Sequence, residues 1–356
     1  MTPSPLSAKH QENQTSLPLT VLVPNYNGAR FVERTLQSLV NQSTSDFEVQ
    51  VWDDGSSDNS ADIAVSFVQS RSNWQLFKKN NVGIGANWNR AIVNVKTPLF
   101  TLLHCDDEYD SGYVAEMVAL MQRFPDAGIG HCAAVAIDEH SAPIYSALEA
   151  YKLASFFPEA EFSTAAQQAF SHLQTGNFIN CPSVIYRTAV VRQLGVFDIR
   201  LQHCLDWEYW FRLTLADIPI VATRQALFRY RRHENNASRA NARLLRRYRE
   251  EVDLLMQVHE QGVARGWCGQ GEVNLTAVRQ GAIMDLCEDL KNRDSSAATA
   301  KLNFVQHQAG VSLLMRLAMR GLILFGRVGG KLGLAAVTTY VTILGWMVSA
   351  RQRYAN

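Results

Sequence analysis

Short apolar runs alternate with stretches of helical periodicity through the first hundred residues. Leu19-Thr20-Val21-Leu22-Val23 is a β-rich run closed by Pro24. A helical pattern follows from Phe31, with Phe31, Leu36, Leu39 and Val40 apolar. Phe47 to Trp52 predicts a second strand, and Asp58 to Gln69 a second helix with Ser57 or Asp58 as its N-cap. Trp74 to Phe77, Ala86 to Val95 and Leu99 to Leu103 continue as strand, helix and strand. Repeated strand–helix–strand units predict an α/β fold with a Rossmann-like, mostly parallel sheet and right-handed crossovers.

The pattern then becomes irregular. Gly128 to Ile137 and Phe178 to Tyr186 read as strands, and Thr188 to Leu194 as a short helix ended by Gly195. Asp206 to Leu215 reads as an aromatic-rich helix, and Ile218 to Ala222 and Ala226 to Arg231 as two closing strands. From about Ala237 the character turns helical, with Leu244 to Val258 and Val273 to Leu290 as helices and Asn292 to Ser296 as a hinge. The expected division is a tail at 1–17, an α/β catalytic domain at 18–238, a helical extension at 239–310, and a distinct C-terminal segment at 311–356.

That last segment contains no Asp or Glu. Arg316, Arg320, Arg327 and Lys331 fall within about 60° of one another on a helix, and Leu314, Met315, Leu322 and Phe325 lie opposite. A basic stripe on an apolar helix is attracted to an anionic membrane surface. Leu332 to Ala350 follows as nineteen uncharged residues, near the lower limit for a bilayer span. The expectation is membrane contact; the bland alternative is a packed helical subdomain or an oligomer interface.

Composition acts mainly by exclusion. The 356 residues are 47% apolar and 19% charged, enough for a sizeable core. A net charge of +1 argues against a nucleic-acid binder. The six cysteines form no C-x-x-C pair and read as reduced, mostly core thiols. Residues 1–17 are polar and lack the apolar stretch of a secretory signal, so the expected location is cytoplasmic, at the inner face of the cell membrane.

Chemistry concentrates where strands should end. Asp53-Asp54-Gly55-Ser56-Ser57-Asp58 follows the second strand, and Cys105-Asp106-Asp107-Glu108 follows the fourth. Open α/β sheets bind ligands at the carboxyl ends of their strands. Carboxylates gathered there can hold a divalent cation, and the cation a diphosphate. Asp54 can accept a hydrogen bond from the N3–H of uracil or thymine. Val23-Pro24-Asn25-Tyr26-Asn27 is placed to touch a base or ribose. Against these stand a turn with a helix cap for the first cluster and a solvated acidic loop for the second.

Taken in order, these motifs resemble the family 2 glycosyltransferases. The resemblance adds Asn80-Asn81-Val82-Gly83, Asn87-Trp88-Asn89-Arg90, Pro182 to Arg187, Leu194 to Asp198, Leu205 to Trp210 and Tyr230-Arg231-Arg232-His233. It covers about residues 18 to 240 and implies a glycosyltransferase A fold with inverting sugar transfer from a nucleotide-activated donor. By the family pattern Pro24, Tyr26 and Asp54 contact the nucleotide, with Asn27 in the same turn and Arg90 near the base or diphosphate. Asp106 and Asp107 match the metal and ribose motif for Mn²⁺ or Mg²⁺, with Asp107 as the metal ligand and His233 nearby. Asp206 matches the general base. The cation, with Arg231 or His233, is expected to stabilise the leaving group. Glu108 stands where a third Asp is frequent, and Leu205 replaces the usual acid before the base.

The implied donor is a UDP- or dTDP-sugar, and the acceptor a glycan or lipid-linked glycan of surface polysaccharide assembly. Homo-oligomerisation stays open. A sugar nucleotidyltransferase would need a glycine-rich loop with Arg and Lys after the first strand, which Val23 to Gly28 lacks. A non-catalytic glycan-binding or assembly protein of the same fold is the other alternative, left open by Glu108 and Leu205.

Overall fold

The computed structural model describes residues 17–234, 236, 241–292 and 294–307. Four parallel strands, β1 (Leu19–Asn25), β2 (Glu48–Asp53), β3 (Trp74–Lys78) and β4 (Leu99–Leu102), form one half of the sheet in the order β3-β2-β1-β4. The crossovers are α1 (Val32–Val40), α2 (Ser60–Val68) and α3 (Ile84–Ile92). Both faces of these strands are covered, which is why they read as near-continuous apolar runs. Val21, Val23, Val49 and Val51 pack with Val32, Leu36 and Leu39 of α1. Leu22, Trp52, Phe100 and Leu102 face the opposite core with Trp88 of α3.

The other half is mixed. β5 (Glu108–Tyr109) is followed by α4 (Tyr113–Arg123), β6 (Ile129–Ile137), α5 (Ala147–Phe156), β7 (Glu161–Thr164) and α6 (Ala166–Leu173). A 3-10 turn at Cys181–Ser183 leads into β8 (Val184–Arg187), α7 (Thr188–Leu194), α8 (Leu205–Leu215) and β9 (Ile220–Arg231). β8 lies antiparallel between β4 and β6, and β9 runs parallel to β6. The central sheet is thus mostly parallel, with an antiparallel insertion and antiparallel flanks at β5 and β7.

The two closing strands expected between Ile218 and Arg231 are one strand, β9. Its register against β6 slips at Cys132 to Ala134, where exposed Arg224 and Gln225 are extruded as a bulge. The polar break in the sequence is that bulge, not a chain reversal. Strand Phe178 to Tyr186 is likewise shorter, since its first half is the 3-10 turn.

Three further helices follow: α9 (Arg246–Ala264), α10 (Thr276–Lys291) and α11 (Ser295–His307). They share a core with the sheet. Tyr248, Leu254, Leu255 and Val258 of α9 join the cluster holding Phe170, Trp207 and Phe211. Among the described residues no helix is long and apolar enough to cross a membrane. The basic stripe and apolar run expected at 311–356, and the tail up to residue 16, lie outside the described residues.

Candidate active site

β1 pairs with β2 on one side and β4 on the other, so their carboxyl ends form one ledge. At the β2 end every carboxylate is engaged by the protein. Asp53 accepts from Asn25 Nδ2 at 2.7 Å and from the Ser56 amide and hydroxyl. Asp58 accepts from the Ala29 amide and from Ser60. Asp54, 2% exposed, accepts from the amides of Val82 at 3.0 Å and Gly83 at 2.9 Å, and Arg90 Nη1 stands 3.6 Å from it. The Gly83 φ of 88°, in the left-handed region, sets the backbone of this loop.

Asp54, the carboxylate expected to meet the base, is bonded to loop 82–83. The Asn27 side chain is committed too: its Oδ1 accepts from the Ser57 amide at 2.8 Å and hydroxyl at 3.2 Å. Arg90 donates to Asn80 O at 3.3 Å as well. Tyr26 is exposed and Pro24 half-buried.

The β4 end differs. One ligand atom each from His104, Asp106 and Asp107 lies within 4.8 Å of the other two. Asp107 is 1% exposed; its Oδ1 accepts from the Arg231 amide at 2.8 Å and its Oδ2 lies 3.8 Å from His104 Nδ1. Burial, then the Asp106 charge, push the Asp107 carboxyl well above the usual range. Burial raises Asp106 too, but the His233 hydrogen bond and the His104 and His233 charges outweigh it and hold that carboxyl low. Burial pushes the His104 imidazole down against the Asp106 charge, favouring the neutral form that can ligate. The ring stacks on Trp88 at 5.1 Å, and its buried Nε2 has no hydrogen-bond partner among the described residues.

The donors fit a hard or borderline divalent cation: two carboxylate oxygens and a neutral nitrogen on one ledge, short of positive charge. His104 is the ligand candidate that the sequence reading left out, although it directly precedes the acidic run. His233, expected at the metal, touches Asp106, with Nε2 at 2.9 Å from Asp106 Oδ2, and is not one of the three clustered residues. Asn236 braces it, accepting from the His233 amide at 2.8 Å.

Glu108 and Arg231 are settled by each other. Arg231 is fully buried. Its Nε donates to Asp106 O at 2.8 Å, Nη1 to Asp138 O at 2.7 Å, and Nη2 to Glu108 and to Ser141 Oγ at 3.1 Å. Its guanidinium also lies 5.0 Å over the Phe31 ring. With four of its five N–H donors engaged and its side chain fully buried, Arg231 is a clamp on the acidic loop, and Glu108 is committed to it.

Asp206 sits in the first turn of α8, where Cys204 rather than Asp206 is the cap residue. Its Oδ1 accepts from the Trp207 amide at 2.7 Å and Oδ2 from Asn177 Nδ2 at 3.2 Å. Burial pushes its carboxyl up, opposed by the His203 charge and these bonds. Glu208 is instead ion-paired with Arg212. The turn at Pro182 to Val184 is tied to β4 and β5: Thr101 Oγ1 donates to Val184 O at 2.7 Å, and Tyr109 to Pro182 O at 2.8 Å. Beside that turn lies buried Cys181, whose thiol is raised first by burial, next by the Asp206 charge, and also by that of Asp107.

The family model of glycosyl transferase family 2 matches residues 20–190, which carry the strand-end loops just described. Over that segment the chain is similar to the family 2 glycosyltransferases. An uncharacterised glycosyltransferase of Rickettsia typhi is 23% identical over 239 residues, 67% of this chain and 71% of that protein. One from Rickettsia prowazekii is 25% identical over 57% of this chain and 60% of its own length. Among solved structures, S. aureus TarS 1-349 in complex with UDP-GlcNAc superposes with a TM-score of 0.55 at 16% identity, over 90% of each chain. The Pyrobaculum calidifontis mannosyltransferase in complex with GDP-Man and Mn²⁺ gives 0.52 at 14% identity, over 94% of this chain and 86% of that one. These likenesses establish a shared glycosyltransferase A fold.

Proposed function

We propose that the protein is an inverting glycosyltransferase. It moves a sugar from a nucleotide diphosphate donor, a UDP- or dTDP-sugar, to a hydroxyl of a glycan or lipid-linked acceptor. The observation that carries this reading is the His104, Asp106 and Asp107 cluster at the carboxyl end of β4, inside the family-matched segment. The neighbours' UDP-GlcNAc, GDP-Man and Mn²⁺ support a nucleotide-sugar donor and a divalent ion here.

His104, Asp106 and Asp107 would hold Mn²⁺ or Mg²⁺, which when bound offsets the charge of a diphosphate leaving group. His233 fixes the orientation of Asp106 through its hydrogen bond. Exposed Tyr26, beside Pro24 and Asn27, offers its ring to the nucleotide. Asp54 and Arg90, joined by their ion pair, form the polar floor of the base site. Asp206 takes the proton from the acceptor hydroxyl as that oxygen attacks the anomeric carbon from the face opposite the leaving group. One displacement inverts the configuration. Its raised proton affinity suits a general base better than an ordinary carboxylate.

A thermal-shift screen of nucleotide sugars with and without Mn²⁺ tests the reading, since a ligand of the folded state raises the melting temperature. One donor should stabilise the protein only with Mn²⁺ present, and Asp107→Ala should remove the effect. A donor shift that survives this substitution would refute the metal assignment.

We also propose that residues 311–356 contact the inner face of the cell membrane through their basic stripe. Deleting them should move the protein from the membrane to the soluble fraction; unchanged partitioning would count against it.

A further inference from the structure

The helical extension grips the loop before α8, with one carboxylate at the centre of the contact. α9 begins directly after Leu245, whose φ of 57° is left-handed and turns the chain sharply. Its first turns then lie against the loop leading into α8. Glu250 accepts from three consecutive amides of that loop: Gln202 at 3.0 Å, His203 at 2.7 Å and Cys204 at 3.2 Å. Cys204 is the cap residue of α8, and no side chain of its own caps that helix. Glu250 therefore holds, from another helix, the three amides that lead into α8 and sets a negative charge beside its start.

Neighbouring groups tighten the same joint. Glu251, 7% exposed, lies 3.5 Å from His203 Nε2 and accepts from Arg247 Nε at 2.9 Å. Asn241 Nδ2 donates to Gln202 O at 3.2 Å, and Arg246 to the Gln202 side chain. Asp206 is two residues beyond Cys204, and the His203 charge acts on its carboxyl. A loop held at three successive amides cannot shift without moving the turn that bears Asp206.

We propose that Glu250 is a positioning residue for the transfer reaction, fixing through Gln202, His203 and Cys204 where the Asp206 carboxylate stands. The inference rests on the assignment of Asp206 as base. It makes α9 part of the catalytic apparatus rather than an appendage to it. Glu250 itself touches no reacting atom.

The test follows the Asp206 carboxyl by ¹³C NMR titration in the full chain, assigned with Asp206→Asn. In Glu250→Ala the titration should fall towards the ordinary aspartate value of about 3.9, because the carboxylate swings into water. Glu250→Gln keeps an acceptor oxygen but no charge, and should retain the raised value. That rescue separates positioning from charge. Turnover of the Mn²⁺-dependent donor should fall about 100-fold in Glu250→Ala with donor affinity within about twofold, the cost of misplacing a catalytic group. An Asp206 titration unchanged in Glu250→Ala, or lowered equally in Glu250→Gln, overturns the proposal. Normal turnover in Asp206→Asn overturns the base assignment instead, so the two failures are distinct.

Discussion

The acidic runs after β2 and after β4 look alike in sequence, each with three carboxylates at a strand end. In the structure they do opposite things. Asp53, Asp54 and Asp58 are met by nearby amides, hydroxyls and one guanidinium. They hold the ledge together and place no demand on an outside cation. Glu108 takes the charge of the one buried guanidinium, Arg231, and Asp106 is met by His233 and Asn236. Asp107 is left with one amide and a distant imidazole. Carboxylates supplied with short-range donors become structure, whereas those starved of positive charge become a cation site.

The contrast can be broken most forcefully at turnover. Asp206→Asn should lower transfer by about 10²–10⁴-fold, the usual contribution of general base catalysis, while donor binding measured by calorimetry persists. The structural carboxylate Asp53, changed to Asn, should leave turnover within about threefold; equal losses in both variants would erase the distinction. The raised Asp206 carboxyl also sets the sign of the pH dependence. The base must be ionised, so activity should climb with pH along a limb lying above the ordinary value of about 3.9. Stability owed to the protonated form moves the other way, present at low pH and lost as pH rises through that group's folded value.

At the metal, His104→Ala should weaken Mn²⁺ binding by roughly 10–100-fold, read by calorimetry. Unaltered affinity would remove His104 from the ligand set and return the cluster to two carboxylates. The smallest effect belongs to the β2 end. Asp53→Ala leaves the Ser56 amide and hydroxyl donors unpaired and takes one acceptor from Asn25, and should cost about 1–3 kcal/mol in urea unfolding with Mn²⁺ affinity unchanged. A loss of metal affinity there would mean the two ends are one site.

The four parallel strands were legible because each is a short apolar run with a helical period on either side. Tyr113, Val114, Met117, Leu120 and Met121 carry an equally clear helical spacing, so α4 could have been read from the same pattern. β9 could not, since the extruded Arg224 and Gln225 interrupt its alternation. At the site, the order of the motifs located the acidic runs but not their partners. Arg231 meets Glu108 from 123 positions away, and His104 takes its setting from Trp88 on another element. The serines within Asp53 to Ser60 were the hint that the first run supplies its own donors.

Arg231 has a consequence for redesign. Its side chain ties the candidate metal loop to the backbone of Asp138 and the hydroxyl of Ser141. Anyone grafting a different 138–141 hairpin, to admit a new acceptor, inherits an obligation: the graft must present the same two oxygens in the same places. A replacement loop that omits them strands a permanent cation in the interior, and the lesion will surface as lost metal binding far from the edited residues.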